Sequence, residues 1–175
     1  MVKLIRAVAW RRLERPYTRK SKYSKKNFVK AVPQNKIVKY DMGDPRVKYQ
    51  YSCTLRSKED IQIRHNAIES ARKSSNKLLE NKIGKTGYYM KVRIFPHHVL
   101  RNNPLASGAG ADRMSTGMQL SFGKTVGLAA RVYRNQPLFE IQVNKDKLDV
   151  AKAALKRAQY KVPCSCKIEV VELAK

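Results

Sequence analysis

A formal net charge of +25 on 175 residues, from 38 Lys and Arg against 13 Asp and Glu, is a self-repelling burden that predicts a polyanionic partner, nucleic acid ahead of an anionic membrane. The hydrophobic fraction of 42% is ordinary for a globular chain, and a length like this fits one domain burying roughly 70% of its unfolded surface. No run approaches the roughly 18 apolar residues of a spanning helix, the basic N-terminus has no apolar signal core, and three cysteines fit a reducing compartment without disulfides, so a cytosolic protein off the membrane is expected.

Residues 1–40 hold 13 basic side chains and one acid, Glu14, with Trp10, Tyr17, Tyr23 and Phe28 interleaved. Cations this dense repel one another, so Arg11, Arg12, Arg15, Arg19, Lys20, Lys22, Lys25 and Lys26 predict an extended arm ordered by phosphates, its aromatics free to stack on bases. A solvated tail is the plain alternative. Residues 1–35 are taken as this arm and 36–175 as one globular domain.

Ile37-Val38-Lys39-Tyr40 predicts a short strand closed by the turn cluster Asp41-Met42-Gly43-Asp44-Pro45. Val47, Tyr49, Tyr51, Cys53 and Leu55 alternate with polar or small residues, the period of a half-buried strand. Ser57 and Asp60 form a capping-box pattern ahead of Ile61, Ile68, Ala71, Ser75 and Leu78, one narrow helical face that Gly84 can end. A strand over 88–95 follows, with Met90, Val92 and Ile94 on one face and Tyr89, Lys91, Arg93 and Phe95 on the other, stopped by Pro96.

From 102 to 117 the chain has three Gly, three Ala, one Pro and no aromatic or β-branched aliphatic residue, so it cannot bury itself and is expected to be a mobile functional loop, taken as 102–116. The Met114, Met118, Phe122 series beyond it suits a helical turn packed on the sheet, and Asp112 with Arg113 suits either a local ion pair or a phosphate contact. Strands over 127–133 and 138–143, joined by Arg134-Asn135-Gln136-Pro137, predict a hairpin. Leu148, Ala151, Leu155 and Ala158 mark a second helix between Asn144 and Pro163, and 166–173 is a last strand. The sum is an α+β fold in which two amphipathic helices cover one face of a mainly antiparallel sheet.

Catalytic signatures are weak. Gly84-Lys85-Thr86 has Leu79 where a phosphate loop needs its first glycine, Gly117 and Gly123 have five residues between them instead of four, and Gly108-Ala109-Gly110 lacks the third glycine of a dinucleotide fingerprint. His97-His98 with Cys53, Cys164 and Cys166 lacks the paired spacing of structural zinc, so neither metal nor cofactor is expected. Between residues 81 and 139 the only acid is Asp112, against Lys82, Lys85, Lys91, Arg93, Arg101, Arg113, Lys124, Arg131 and Arg134. That chemistry is anion contact rather than acid–base or nucleophilic catalysis, with no small-molecule substrate. A nucleotide-using enzyme would need an intact phosphate loop, and a DNA-compacting protein would need charge alone without the long loop.

The run Arg93-Ile94-Phe95-Pro96-His97-His98-Val99-Leu100-Arg101-Asn102, with Gly108-Ala109-Gly110-Ala111-Asp112-Arg113-Met114, Gly117-Met118, Phe122-Gly123-Lys124 and Ala129-Ala130-Arg131-Val132, resembles one family. It is the universal large-subunit ribosomal protein family called sixteen in bacteria and ten-e in archaea. The resemblance extends through Arg15-Pro16-Tyr17-Thr18-Arg19, Asp41-Met42-Gly43, Ala154-Leu155-Lys156-Arg157-Ala158 and Lys161-Val162-Pro163, and its Gly-Ala-Gly-Ala-Asp-Arg form points to the archaeal and eukaryotic branch, with an archaeal source expected. It implies an α+β fold with a hammerhead-like β element in the cytoplasmic large ribosomal subunit, seated near the central protuberance and the A-site wall, without a catalytic residue. Large-subunit ribosomal RNA would be the main partner, with transfer RNA, 5S ribosomal RNA and neighbouring ribosomal proteins beside it. The RNA-contact candidates are Arg6, Arg11, Arg12, Arg15, Tyr17, Arg19, Lys20, Lys22, Lys25, Lys26, Arg93, His97, His98, Arg101, Lys124 and Arg131. The loop residues Asn102, Asn103, Ser107, Gly108, Ala109, Gly110, Ala111, Asp112 and Arg113 would approach transfer RNA and the peptidyl transferase centre.

Overall fold

The computed structural model describes residues 6–13, 22, 23, 25, 29, 31–106, 108–115 and 123–173. In chain order the elements are β1 (Asp41–Gly43), β2 (Tyr51–Ser57), β3 (Ile61–Arg64), α1 (His65–Ile83), β4 (Tyr89–Val92), β5 (His98–Asn102), α2 (Ala111–Met114), β6 (Lys124–Val132), β7 (Pro137–Val143), α3 (Leu148–Gln159) and β8 (Cys166–Glu172). They form two sheets, β1-β4-β7-β2-β8 and β3-β6-β5, and every strand pairing is antiparallel. The expected α+β class holds.

The five-stranded sheet follows from alternation. Met90 faces Ile141, which faces Cys53, and Val92 faces Phe139, which faces Leu55. These two cross-strand rows are buried almost completely, and each such large side chain contributes about 1.5–3 kcal/mol by leaving water. Helix α3 lays Ala151, Ala154, Leu155 and Ala158 over β2 and β7, and α1 packs against α3. The small alanines let helix and sheet approach closely. Burial along α1 runs through Ile68, Ala71, Ser75 and Leu79; the predicted Leu78 lies one step off that line and is half-buried. Glycine 84, at φ +88°, ends α1. None of the helices in the described residues is long and apolar enough to cross a membrane.

Four connections carry the chain from one sheet to the other, β2 to β3, β3 through α1 to β4, β4 to β5 and β6 to β7, and this is where the sequence reading needs correction. The turn expected to close a β6–β7 hairpin joins strands of different sheets. Asn135, at φ +68°, donates its N–H to the Ser57 carbonyl, and the Ser57 N–H donates to the Gln136 carbonyl, so the turn is tied to the end of β2 instead. Ser57 and Asp60 cap no helix. The Ser57 hydroxyl donates to the Glu59 carbonyl at 2.7 Å and Asp60 accepts the Arg134 N–H, both inside the corner between sheets, while Ile61 opens β3 and the helix starts only at His65.

The strand predicted at 37–40 is displaced to 41–43, just beyond the predicted segment. Ile37 is buried without being in a strand, and the expected turn cluster supplies β1, with Met42 opposite Met90. Its pairing hydrogen bonds are available only because β4 has an open edge there. Strand β5 was not anticipated, since Pro96 masks the new sheet that starts two residues on.

A candidate nucleic-acid interface

The two sheets differ sharply in charge. The five-stranded sheet carries Asp41, Glu140, Glu169 and Glu172 with Arg56, Lys91 and Lys167. Most are paired: Arg56 and Lys167 to Glu169 at 2.5 and 2.6 Å, and Lys91 to Asp41 at 3.9 Å. Strands β3, β5 and β6 contain no Asp or Glu, and carry Arg64, His98, Arg101, Lys124 and Arg131. Among the described residues, Arg101, Lys124 and Arg131 form no ion pair.

Register sorts these side chains. Opposed residues of an antiparallel pair project to the same face. Gln62 opposes Arg131, and Arg64 and His98 both oppose Ala129, so Gln62, Arg64, His98 and Arg131 share one face. The other face turns Ile61, Ile63, Ala130 and Val132 into the main core, and Val99 and Leu128 pack on Val29 of the basic arm. The Nε atoms of Arg101 and Arg131 are buried and have no hydrogen-bond partner among the described residues. A charged donor left unsatisfied is costly, and an incoming phosphate oxygen would relieve it.

The long loop leaves from this sheet. Asn102 pairs with Lys124, and 103–123 lie between them. At the base, Gly123 has φ +71°, and a Cβ there would stand 2.2 Å from the Asn102 carbonyl carbon, so no larger residue fits without moving the backbone. Further out, the Ala106 N–H donates to the Ser115 hydroxyl at 2.9 Å, and the Ala111 N–H to the Gly108 carbonyl at 3.1 Å, folding the single helical turn α2. Gly108, Ala109, Asp112 and Arg113 are exposed, and Asn102, Asn103, Gly110 and Ala111 half-buried. No Asp112–Arg113 ion pair forms among the described residues. Ser107, Met118 and Phe122 lie outside the described residues.

Beside β4 stands a short aromatic ladder. Tyr40 stacks on Phe95 at 5.4 Å between centroids, and Phe95 meets His97 at 4.5 Å. Asn35 fixes the base of the ladder by donating to the Tyr40 hydroxyl at 2.7 Å. Phe95 remains 48% exposed, and Arg93 of the same polar face approaches Glu140 at 3.6 Å. The candidates included Arg93 and His97 but not Phe95, although an aromatic on the cationic face of an alternating segment was a visible signal for it.

Part of the basic arm is held by protein. Residues Ala7–Trp10 form a 3-10 turn, contrary to the extended backbone expected, because the neighbouring β3 edge offers partners. The Gln62 N–H donates to the Arg11 carbonyl at 2.9 Å, the Gln62 side-chain amide donates to the Trp10 carbonyl at 3.0 Å, and the Arg64 guanidinium lies 5.5 Å over the Trp10 ring. Arg6, Arg11, Arg12, Lys22 and Lys25 are exposed. Arg15, Tyr17, Arg19, Lys20 and Lys26 lie outside the described residues.

The remaining titratable groups are structural in setting. His65 accepts the Lys36 N–H on Nδ1 at 3.4 Å, and burial, with Lys36 and Arg64 nearby, holds its pKa below the ordinary value. Cys164 and Cys166 meet at 3.5 Å; their mutual hydrogen bond holds the Cys164 thiol down and pushes Cys166 up. Among the described residues no three of His, Cys, Asp and Glu gather in a metal-holding group. Gly84 closes a helix rather than opening one, the reverse of a phosphate-binding loop.

Comparison with known proteins gives this surface a context. The family model described as Ribosomal protein L16p/L10e matches residues 16–169. Large ribosomal subunit protein uL16 of Methanococcus maripaludis is 49% identical over 150 residues, 86% of this chain and 87% of the relative. The proteins of that name from Hyperthermus butylicus and Archaeoglobus fulgidus are 46% and 44% identical, covering 86% and 92% of this chain and 84% and 89% of their own. All three sources are archaea, as the Gly-Ala-Gly-Ala-Asp-Arg form led one to expect. The chain belongs to the L16p/L10e family of ribosomal proteins, a structural component of the ribosome and not an enzyme.

Proposed function

We propose that this chain is a cytoplasmic structural constituent of the large ribosomal subunit that binds large-subunit ribosomal RNA through the acid-free sheet β3-β6-β5 and the arm docked on its edge. One observation carries the reading beyond family membership: the three strands of the sheet from which the loop departs hold five cationic or cation-capable side chains and no acid, while the other sheet balances its charges internally. A surface built this way attracts phosphates without sequence preference and fixes orientation. The orphaned Nε atoms of Arg101 and Arg131 supply directed donors within it.

The finer placement follows the family resemblance. The domain sits near the central protuberance and the A-site wall, where 5S ribosomal RNA and neighbouring ribosomal proteins are further partners. Loop 102–116 reaches toward transfer RNA and the peptidyl transferase centre, with Gly123 setting its exit angle and α2 presenting Arg113 at the surface. The described RNA-contact candidates are Arg6, Arg11, Arg12, Lys22, Lys25, Arg93, His97, His98, Arg101, Lys124 and Arg131; Phe95 is added as a stacking surface.

The test is co-sedimentation of tagged protein from cell lysate on sucrose gradients at moderate and high salt. Stoichiometric presence in large subunits and whole ribosomes is the expected result, and absence from both overturns the proposal. Transfer RNA footprinting on ribosomes carrying or lacking 103–116 tests the reach of the loop: protection that does not change overturns that part.

A further inference from the structure

A second concavity lies away from the loop, where the docked arm, β3 and the turn after α3 converge. This cleft, about 390 Å³ in volume, is lined by Arg11, Gln62, Arg64, Tyr160, Lys161 and Pro163 among others, and no acid lines it. That volume suits one nucleobase rather than a helix or a strand. Tyr160 caps the end of α3 and is 73% exposed, held by its N–H to the Lys156 carbonyl and followed by the Lys161 and Val162 turn bonds. At this helix end the Tyr160 ring offers a flat stacking face in a cleft also lined by Arg11 and Lys161.

Gln62 provides the independent sign. It is only 4% exposed, its amide nitrogen is committed to the Trp10 carbonyl, and its Oε1 is buried without a hydrogen-bond partner among the described residues. A buried acceptor without a partner among the described residues is open to a donor from a bound ligand. Burial also holds the Arg64 pKa below its ordinary value, so an anion nearby would be favoured. We infer that this cleft captures one unpaired nucleotide of bound RNA: the base stacks on Tyr160, a base N–H donates to Gln62 Oε1, and the flanking phosphates lie on Arg11 and Lys161. The inference rests on the RNA-binding reading and names a specific subsite within it.

The chemistry distinguishes a nucleotide from a bare phosphate. Three cations alone would hold any polyanion, whereas a stacking ring and a lone acceptor need a flat donor-bearing base. The one tryptophan of the chain, Trp10, lies under Arg64, which lines the cleft, and serves as a fluorescence reporter of occupancy.

The experiment titrates the full chain with an adenosine pentaribonucleotide and with an abasic pentamer of the same charge, reading anisotropy of labelled oligonucleotide and Trp10 emission. The base-bearing pentamer is expected to bind about tenfold tighter and to change Trp10 emission, the order of effect one stacked base gives. In a Phe95→Ala background, which removes the other proposed stacking ring, Tyr160→Ala should abolish that preference and leave abasic binding unchanged, and Tyr160→Phe should restore it. Because Tyr160 is exposed, neither variant threatens folding. Equal affinity for the two pentamers, or a preference that survives Tyr160→Ala, overturns the cleft assignment alone. Failure of both pentamers and of structured ribosomal RNA to bind at low salt overturns the RNA-binding reading itself.

Discussion

The five-stranded and three-stranded sheets are built by the same alternation and serve opposite ends. In the first, carboxylates sit among the cations and neutralise them, and helix α3 lies over β2 and β7. In the second, no carboxylate is present, the Nε atoms of Arg101 and Arg131 have no hydrogen-bond partner among the described residues, and a long loop departs from its edge. A sheet that must stand alone in water carries its own counter-ions, and a sheet that meets RNA leaves that role to phosphates. Stability and binding should therefore separate along the line between them.

The largest expected effect is on the stabilising side. Glu69 accepts two hydrogen bonds from Arg72 at 2.8 and 2.6 Å, both residues being buried, and Arg72 also reaches Met42 of β1. Glu69→Ala leaves that guanidinium buried and unpaired and should lower stability by about 3–5 kcal/mol in urea denaturation. Leu55→Ala should cost about 2–5 kcal/mol by opening a cavity in the row it shares with Phe139. Neither should alter RNA affinity per folded molecule; a parallel loss of affinity would erase the division.

Binding is next. Replacing Arg101, Lys124 and Arg131 together by Gln should weaken ribosomal RNA binding about a hundredfold at physiological salt and flatten the slope of log K against log salt by roughly 2–3, at about one released counterion per contact. The matched triple at Arg56, Lys91 and Lys167 should move both quantities far less, because those cations already have protein partners. Equal effects from the two triples would contradict the comparison. Deleting 103–116 should spare folding and most RNA affinity while impairing translation, and a deletion protein without a cooperative unfolding transition would refute this.

Acidification should give the smallest effects, in two steps. The folded pKa of His65 lies below 6.5, so the unfolded chain takes up the proton first, and its contribution is present above pH 6.5 and lost as pH falls toward the folded value. For Glu69, burial pushes the carboxyl up but the Arg72 hydrogen bonds and charge outweigh it, so the folded pKa lies below 4.5 and stability is lost below that pH. Urea midpoints taken from pH 8 to 3 should show both declines, and His65→Gln should remove only the upper one.

Much of this was legible in the residues. Alternation located β2 and β4, the strands expected over 127–133, 138–143 and 166–173 match β6, β7 and β8, the apolar stripe located α3, and the scarcity of acids between 81 and 139 foreshadowed the sheet that now carries the interface. What failed did so at the corners. Ser57 and Asp60 satisfy a helix-capping pattern locally, yet their hydrogen bonds go to Glu59 and Arg134, the second of them 74 positions away. Likewise the residues 133–136 make a turn in either arrangement, and only their tertiary bonds to Ser57 decide that it joins two sheets rather than closing a hairpin. The Tyr160 cleft was invisible because its walls come from residue 11, β3 and the α3 terminus, which only folding assembles.

The most direct test of the central claim is ultraviolet cross-linking of RNA to this chain in gradient-purified large subunits, with the cross-linked peptides located by mass spectrometry. Cross-links on β3, β5, β6, the docked arm and the 103–123 loop, with few on β2 and β8, are the predicted result. Cross-links concentrated on β2 and β8, with the acid-free sheet unmarked, would contradict the account.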